Sequence, residues 1–253
     1  MSGLAQFFER AGLATVVLAL YREHAAKIAP PRVLAVPFQL GRPLGVPNDP
    51  AFQRRVLMAA LELLEAERGP VFADYPEAEP NIEPTGWMPP IPLAKPYDGR
   101  SGNEGFGPAL TAEIAAIKPY YDQAVRHRGR TTVGASGYPV LVARDFLLAF
   151  LNGRPTPKPG RGLNTAMALK LACEDLTAYT MEAATGTAER PVPTADLVPW
   201  FWCDTTLGHA ILSLYDLCEK SAEPTIKELT QLLLLPSFWD FRKKPEVHRR
   251  PRR

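Results

Sequence analysis

The chain has 253 residues, of which 46% are hydrophobic, so it can bury the core of one large domain or two modest ones. No apolar run reaches about 18 residues and the N-terminal segment lacks a signal-peptide pattern, which predicts a cytoplasmic protein without a membrane span. The net charge is +2, yet residues 242–253 hold 7 of the 29 Lys and Arg residues. We expect this basic tail to be a disordered, solvated end, and the acidic balance of the remainder argues against a nucleic-acid-binding protein.

Cysteine and histidine usage indicates neither a disulfide framework nor a metal site. The three cysteines, Cys173, Cys203 and Cys218, share no CxxC spacing and have apolar neighbours. We expect them to be reduced thiols that pack as small hydrophobic side chains. The four histidines form no HxxxH or HExxH pattern, so no metal site is predicted, and the sequence leaves any cofactor unknown.

Residues 1–75 are predicted to form a small α/β unit with a parallel half-sheet. Two apolar, β-branched runs of strand length each lead into a segment whose apolar residues have helical spacing. Asp49 and Pro50 are the residue types that favour an N-cap and a first helical position. The predicted elements are a helix over 3–11, a strand over 13–20, a helix over 21–29, a strand over 32–38 and a helix over 50–67.

The edges of this predicted half-sheet need a partner. Two strands alone leave their backbone hydrogen-bonding groups unpaired on both sides and bury too little apolar surface to be stable. Later strands, a second copy of the chain or another subunit must therefore complete the sheet. We expect a homo-oligomer or a complex with a partner subunit.

A proline-rich arm is predicted over 76–108. This arm and the six residues before it contain nine prolines, which excludes regular elements beyond a short strand over 71–73. We expect an extended segment that lies over a surface. Its large side chains, Trp87, Met88 and Tyr97, either cover a cleft or a partner, or anchor the arm on its own domain.

The rest of the chain, over 109–241, is predicted to be a helical bundle. The fold class is therefore α/β and rich in helix, with a small parallel half-sheet at the N-terminus and a mainly helical second part. The predicted helices of the bundle cover 109–127, 139–152, 164–185, 195–220 and 224–235.

Two loops have the composition of anion-binding sites. The loop over 41–45 follows a strand and precedes a helix, and its Arg42 and Gly45 offer a cation and close backbone approach to a carboxylate or phosphate. The loop over 128–137 combines hydroxyl groups, glycines and guanidinium groups. The alternative for both loops is a structural turn. The predicted substrate-binding residues of the second loop are Arg130, Thr131, Thr132 and Ser136.

Two predicted helices place acids among apolar residues. The first of these helices has two apolar rows, one of which contains Glu174, so we expect Glu174 or its neighbour Asp175 to be buried. Asp204 and His209 lie beside the apolar row of the following helix. These four residues are candidates for acid–base catalysis or polar ligand binding, and the alternative is a structural polar network.

The first quarter of the chain also resembles a known family. Residues 7–68 are similar to the C-terminal segment of the selenoprotein B subunit of glycine, sarcosine, betaine and D-proline reductases, and the likeness rests on the order of the elements and a few residues. Those residues are Glu9, Arg10, Ala11 and Gly12 before a strand, Arg32 at the start of the next strand, and Pro37, Leu40, Gly41 and Pro43 in the loop that follows.

The resemblance implies an enzyme or enzyme subunit that acts on a small amino-acid-like or carboxylate substrate, with a thiol electron donor as a further partner. In that family a selenocysteine and nearby cysteines precede the matching segment, whereas the present sequence begins at Met1, close to where the match starts. We therefore expect a partner subunit to supply the redox group. The alternative is a non-catalytic binding or scaffold protein that kept the fold and lost the redox motif.

Overall fold

The structure is a computed structural model that describes residues 2–39, 41–67, 69–79, 85–91, 102–160, 162–186, 188 and 192–230. The chain forms two compact units, Met1–Asn81 and Ile82–Arg253. The predicted fold class is confirmed, because the described residues form a small parallel sheet in the first unit and helices through most of the second. Leu40, Tyr97, the end of the helix predicted over 224–235 and the predicted tail over 242–253 lie outside the described residues.

The first unit has a parallel sheet in the order β1 (Val17–Ala19), β2 (Arg32–Ala35), β3 (Val71–Asp74), with Val33 of β2 paired with Val17 on one side and Phe72 on the other. The third strand follows the short run predicted over 71–73, so the sheet is one strand wider than the half-sheet counted from the sequence. The elements are α1 (Ser2–Arg10), β1 (Val17–Ala19), α2 (Arg22–Ile28), β2 (Arg32–Ala35), α3 (Pro50–Glu62) and β3 (Val71–Asp74).

Helices cover both faces of this sheet. Leu34 packs with the buried face of α3, including Val56, whereas its neighbour Val33 packs with Ala25 of α2. Successive strand residues point to opposite faces, so α2 and α3 lie on opposite sides of the sheet. This explains why the strand sequences are continuously apolar and do not alternate with polar residues.

The second unit packs its helices around α6. Of the two predicted apolar rows of α6 (Thr165–Thr185), the one with Leu169, Ala172, Leu176, Tyr179 and Ala183 is buried, and α4 (Phe106–Arg128) and α5 (Val140–Leu151) pack against the helix. The other row is not fully buried, because Met167 is exposed and Leu171 and Met181 are half-buried. Asn164 caps α6 as a side-chain acceptor for the Met167 N–H at 2.8 Å. The elements are α4 (Phe106–Arg128), α5 (Val140–Leu151), α6 (Thr165–Thr185), α7 (Thr194–Asp204), α8 (Thr206–Glu219) and α9 (Pro224–Lys227).

The single helix predicted over 195–220 is wrong, because the chain breaks at Thr205 into α7 and α8. The Thr205 backbone is extended, and its hydroxyl donates to the Phe201 carbonyl at 2.6 Å and accepts from the Gly208 N–H at 2.9 Å. Cys203, near the end of α7, is exposed, contrary to the prediction that all three cysteines are packed, while Cys173 and Cys218 are buried.

Residues 85–91 of the arm, which belong to the second unit, are anchored on the helices of that unit. The Thr85 N–H and hydroxyl each donate to Asp196 of α7 at 2.8 Å, and the Gly86 N–H donates to the same carboxylate at 3.0 Å. Trp87 packs against the helical core and Ile91 is part of it. In this stretch the aromatic side chain anchors the arm on its own domain, one of the two alternatives that the sequence left open.

We predict that Gly186→Ala lowers the free energy of unfolding by about 1–3 kcal/mol, because overpacking a close contact forces backbone or side-chain shifts. An added Cβ would lie 2.0 Å from the Ala124 Cβ of α4. Gly107→Ala is the matched control, since its Cβ meets nothing within 4 Å in the first turn of α4. It should leave the free energy of unfolding unchanged or raise it by up to about 1 kcal/mol. Urea titration measures both, and equal stabilities would contradict the close packing of α4 on α6.

Candidate functional site

The strongest polar cluster in the second unit forms where α6 faces the loop after α4. Asp175 of α6 is 1% exposed, and its Oδ1 accepts the N–H groups of Gly134 and Ala135 at 2.8 and 2.9 Å. Its Oδ2 accepts the Ser136 N–H at 3.0 Å and the Ser136 hydroxyl. A buried carboxylate is stable only when it is paired or hydrogen-bonded, and these four donors satisfy Asp175.

A second carboxylate, two turns further along α6, holds the start of the same loop. The Thr131 hydroxyl donates to Glu182 Oε2 at 2.7 Å, and the Thr132 N–H and hydroxyl both donate to Oε1 at 2.7 Å. Burial alone raises the pKa of Glu182, but the hydrogen bonds from Thr132 and Thr131 and the charge of Arg128 outweigh it. The pKa of Glu182 therefore lies below its usual value.

These contacts show that the hydrogen-bond donors of the loop bond to carboxylates of the same chain. Of the predicted substrate-binding residues, Thr131, Thr132 and Ser136 donate to Glu182 and Asp175, while Arg130 is exposed. The sequence correctly indicates that this loop suits a carboxylate. In the structure, the carboxylates it binds come from α6.

The remaining predicted catalytic residues lie in other environments. Glu174 is partly exposed and forms an ion pair with Lys170 one turn earlier on α6. Asp204 is exposed at the C-terminal end of α7, and His209 is half-buried on α8. Asp175 is thus the buried acid of the Glu174–Asp175 pair, as the sequence pattern allowed.

A buried acid that the sequence analysis missed, Glu113, holds the start of α8. It is 1% exposed on α4 and accepts the N–H groups of Thr206 and Leu207 at 2.6 and 3.0 Å. Burial raises the pKa of Glu113, although these hydrogen bonds and the nearby His209 act in the opposite direction. A signal existed in the sequence: Glu113 lies in the same helical row as the buried Leu110.

In the first unit, the loop after β2 closes on the protein's own groups. Gly45 has φ +84°, and a Cβ there would lie 2.4 Å from the ring of Phe52, so the glycine permits close approach to this ring. Arg42 Nη1 lies 3.8 Å from Glu79 Oε2, and the Gln39 N–H donates to the same carboxylate at 3.3 Å. The predicted substrate-binding Arg42 and Gly45 therefore have structural partners within this unit.

Aromatic rings fill the space beside that loop. The rings of Phe38, Phe52 and Tyr75 pack against one another with centroids 5.4 to 6.2 Å apart, and all three residues are buried. Phe38 and Tyr75 follow β2 and β3, at the carboxyl end of the sheet, where open α/β sheets place their ligands. Here this end of the sheet is occupied by the hydrophobic core.

The part of the chain that the structure describes holds neither a metal-binding cluster nor a membrane-spanning helix. No group of three or more His, Cys, Asp or Glu side chains there is arranged to hold a metal ion. Within the same ranges, none of the helices combines the length and apolar character that crossing a membrane requires.

Comparison with known proteins returns no match: no family model, no curated protein and no solved structure matches this chain. The resemblance to the selenoprotein B subunit stays a prediction from the sequence.

We predict that Gly45→Ala destabilises the first unit more than Gly41→Ala. Both glycines have positive φ, +84° and +88°, so alanine is strained at either position, at a cost of about 1–2 kcal/mol. Only at Gly45 does the new Cβ also meet the Phe52 ring. Thermal unfolding of the two variants isolates the steric contribution. Equal destabilisation would contradict the contact between this loop and Phe52.

We predict that Glu113→Gln and Glu182→Gln change the free energy of unfolding with opposite pH dependences. The pKa of Glu113 is raised, so the stability that wild type gains over Glu113→Gln should be largest below the usual glutamate pKa of about 4.3. This difference should shrink as the pH rises through the folded-state pKa. The pKa of Glu182 is lowered, so its advantage should be largest above about 4.3 and shrink as the pH falls through the folded-state value. Urea unfolding at a series of pH values measures both. Parallel profiles would contradict the assigned environments.

Proposed function

We propose that this chain is a framework subunit of a larger enzyme complex, in which partner subunits supply the reacting groups. The observation that carries the proposal is the state of Asp175, the buried acid among the candidate catalytic residues. Both of its oxygens accept hydrogen bonds from the loop over 134–136. An acid in this position organises a loop, and no oxygen is left for a substrate.

General acid–base catalysis needs a group within hydrogen-bond reach of the substrate's proton. To act in this way Asp175 would have to give up donors such as the Ser136 and Ala135 N–H groups, which are then left unpaired. Each unpaired buried amide costs about 1–3 kcal/mol. Glu182 is held by its loop in the same way. The polar groups of α6 thus support a structural role.

The resemblance to the selenoprotein B subunit suggests which kind of complex this is. A reductase complex of that group would act on a small amino-acid-like or carboxylate substrate and draw electrons from a thiol donor. In this proposal the first unit contributes its α/β framework and the loop over 41–45, and a partner contributes the redox group. In this proposal Arg42, in the loop after β2, exchanges its contact with Glu79 for the carboxylate of a substrate.

A second candidate function is a binding or scaffold protein without enzymatic partners. It is favoured by the closure of the loop over 41–45, where Gly45 lies against Phe52 and Arg42 lies near Glu79. A ligand loop whose groups are matched internally can be kept for folding alone.

The framework role predicts that Asp175→Asn is a stability variant. The amide of asparagine has no negative charge and presents its own N–H₂ to the backbone donors. We therefore expect the free energy of unfolding to fall by about 3 kcal/mol and the melting temperature to be lower. Glu174→Gln is the matched control, because this neighbouring acid is partly exposed and should change stability by less than about 1 kcal/mol. Calorimetry measures both. An Asp175→Asn protein with wild-type stability that loses binding of a small carboxylate would overturn the framework role.

Titration with glycine, betaine, D-proline and acetate separates the two candidate functions. Millimolar binding by the wild-type chain that Arg42→Ala abolishes, with folding intact, supports the subunit of a reductase complex. Absence of binding of all four compounds, in a chain that is fully folded, supports the scaffold. Glu79→Gln is the informative companion variant, because it removes the internal countercharge and should strengthen any binding through Arg42.

A further inference from the structure

We propose that the outer edge of β1 pairs antiparallel with β1 of a second copy of this chain. The inference rests on the proposed role as a subunit of an assembly, and it names one of the partners. It is built from the hydrogen-bond directions of β1, the difference between the two sheet edges and the charges at the two ends of the strand.

The hydrogen-bond pattern shows which groups of β1 face outwards. The Val36 N–H donates to the Ala19 carbonyl at 2.9 Å, and Val17 and Ala19 pair with Val33 and Ala35 of β2. In a parallel ladder the residues that bond a given neighbour alternate along the strand. The N–H and C=O of Leu18 therefore point away from β2, towards the outer edge of the sheet.

The two edge strands of the sheet differ in the features that prevent pairing with another strand. The run from Leu13 to Leu20 has eight residues with no charge, proline or glycine, although only part of it pairs with β2. At the other edge, Asp74 of β3 is held by Arg22 through bonds of 2.7 and 3.1 Å, and Pro70 precedes the strand. Charges and prolines are the usual devices that prevent an edge strand from pairing. The run at the β1 edge has neither. Its Leu13 and Thr15 N–H groups bond to Phe8 and Glu9 of the same chain, so the part of this edge available for pairing is 16–20.

The charges that flank this run fit a second copy in antiparallel orientation. On the N-terminal side, Glu9 bonds to Arg32 and Thr15, whereas Arg10 is exposed. On the C-terminal side, Arg22 bonds to Asp74, whereas Glu23 is exposed. Antiparallel pairing brings the N-terminal side of one strand beside the C-terminal side of the other. Arg10 of each copy would then approach Glu23 of the other.

Apolar side chains next to this edge give the contact further area. Phe7 is 66% and Leu13 is 58% exposed, and both lie on the segment that leads into β1. A symmetric contact repeats the same patch on both copies. The same two-fold operation that pairs the strands therefore doubles this apolar surface.

The test is a charge exchange on the full chain, followed by light scattering and sedimentation at micromolar concentrations. We expect a wild-type dimer, with Arg10→Glu and Glu23→Arg each weakening the dimer about tenfold through repulsion at two symmetric sites. The double variant Arg10→Glu/Glu23→Arg should regain the wild-type affinity. Arg54→Glu, an exposed reversal on α3, which covers the opposite face of the sheet from α2, is the control and should have no effect.

A second variant tests the strand itself. Leu18→Pro removes an N–H that faces outwards, so the internal ladder with β2 keeps its hydrogen bonds while the dimer should be lost. Leu61→Lys, on the exposed face of α3, should leave the dimer intact. Circular dichroism confirms that each variant is folded.

Two results would overturn the proposal. The first is a wild-type chain that is monomeric at all concentrations. The second is a dimer that responds to Leu61→Lys but to neither the charge exchange nor Leu18→Pro. Either result leaves the proposed function to be decided by Asp175→Asn and by ligand titration, so the two failures are distinguishable.

Discussion

The second unit depends on one kind of interaction, a carboxylate on a helix that accepts backbone N–H groups from a non-helical segment or a helix start. Asp175 and Glu182 hold the loop after α4, Glu113 holds the first turn of α8, and Asp196 holds the arm. Backbone N–H groups at such places have no partner within regular structure, and charged acceptors bond them strongly in a medium of low dielectric constant. The helices therefore fix the positions of the segments between them.

This arrangement bears on function because a group that satisfies a loop is not available to a substrate. The residues that a sequence pattern selects as a site, acids and hydroxyl groups among apolar residues, are also those that a protein uses to fix its loops. In the loop over 131–136 the two roles have the same chemistry, since its donors suit any carboxylate. The geometry around Asp175 favours the structural role, and the proposed function places the reacting groups on a partner for that reason.

The first unit presents the complementary case. Its loop over 41–45 closes on residues of the same unit, with Gly45 against Phe52 and Arg42 near Glu79, whereas the outer edge of β1 is not paired with any described strand. Unpaired N–H and C=O groups at a sheet edge can bond to a strand of another chain, whereas unpaired groups in a loop can bond to a ligand. The internal closure of the loop and the open edge are the two observations on which the proposed assembly depends.

Sequence alone determined the features that depend on neighbouring residues. Asp49 caps its helix as its residue type predicted, accepting the Phe52 N–H, and one of the two predicted apolar rows of α6 is buried. Helix-rich α/β architecture follows from the same local periodicities. The break at Thr205 was not predicted, because the helical spacing of the apolar residues continues through this position in the sequence.

Only the tertiary structure decided which acid meets which loop. Glu113 and Thr206 are 93 residues apart in the chain, and Thr85 and Asp196 are 111 apart. A carboxylate has the same residue type whether it meets a substrate, a loop or solvent, so local patterns cannot distinguish these outcomes. The choice follows from how the helices pack, because that packing brings distant N–H groups within hydrogen-bond reach of each acid.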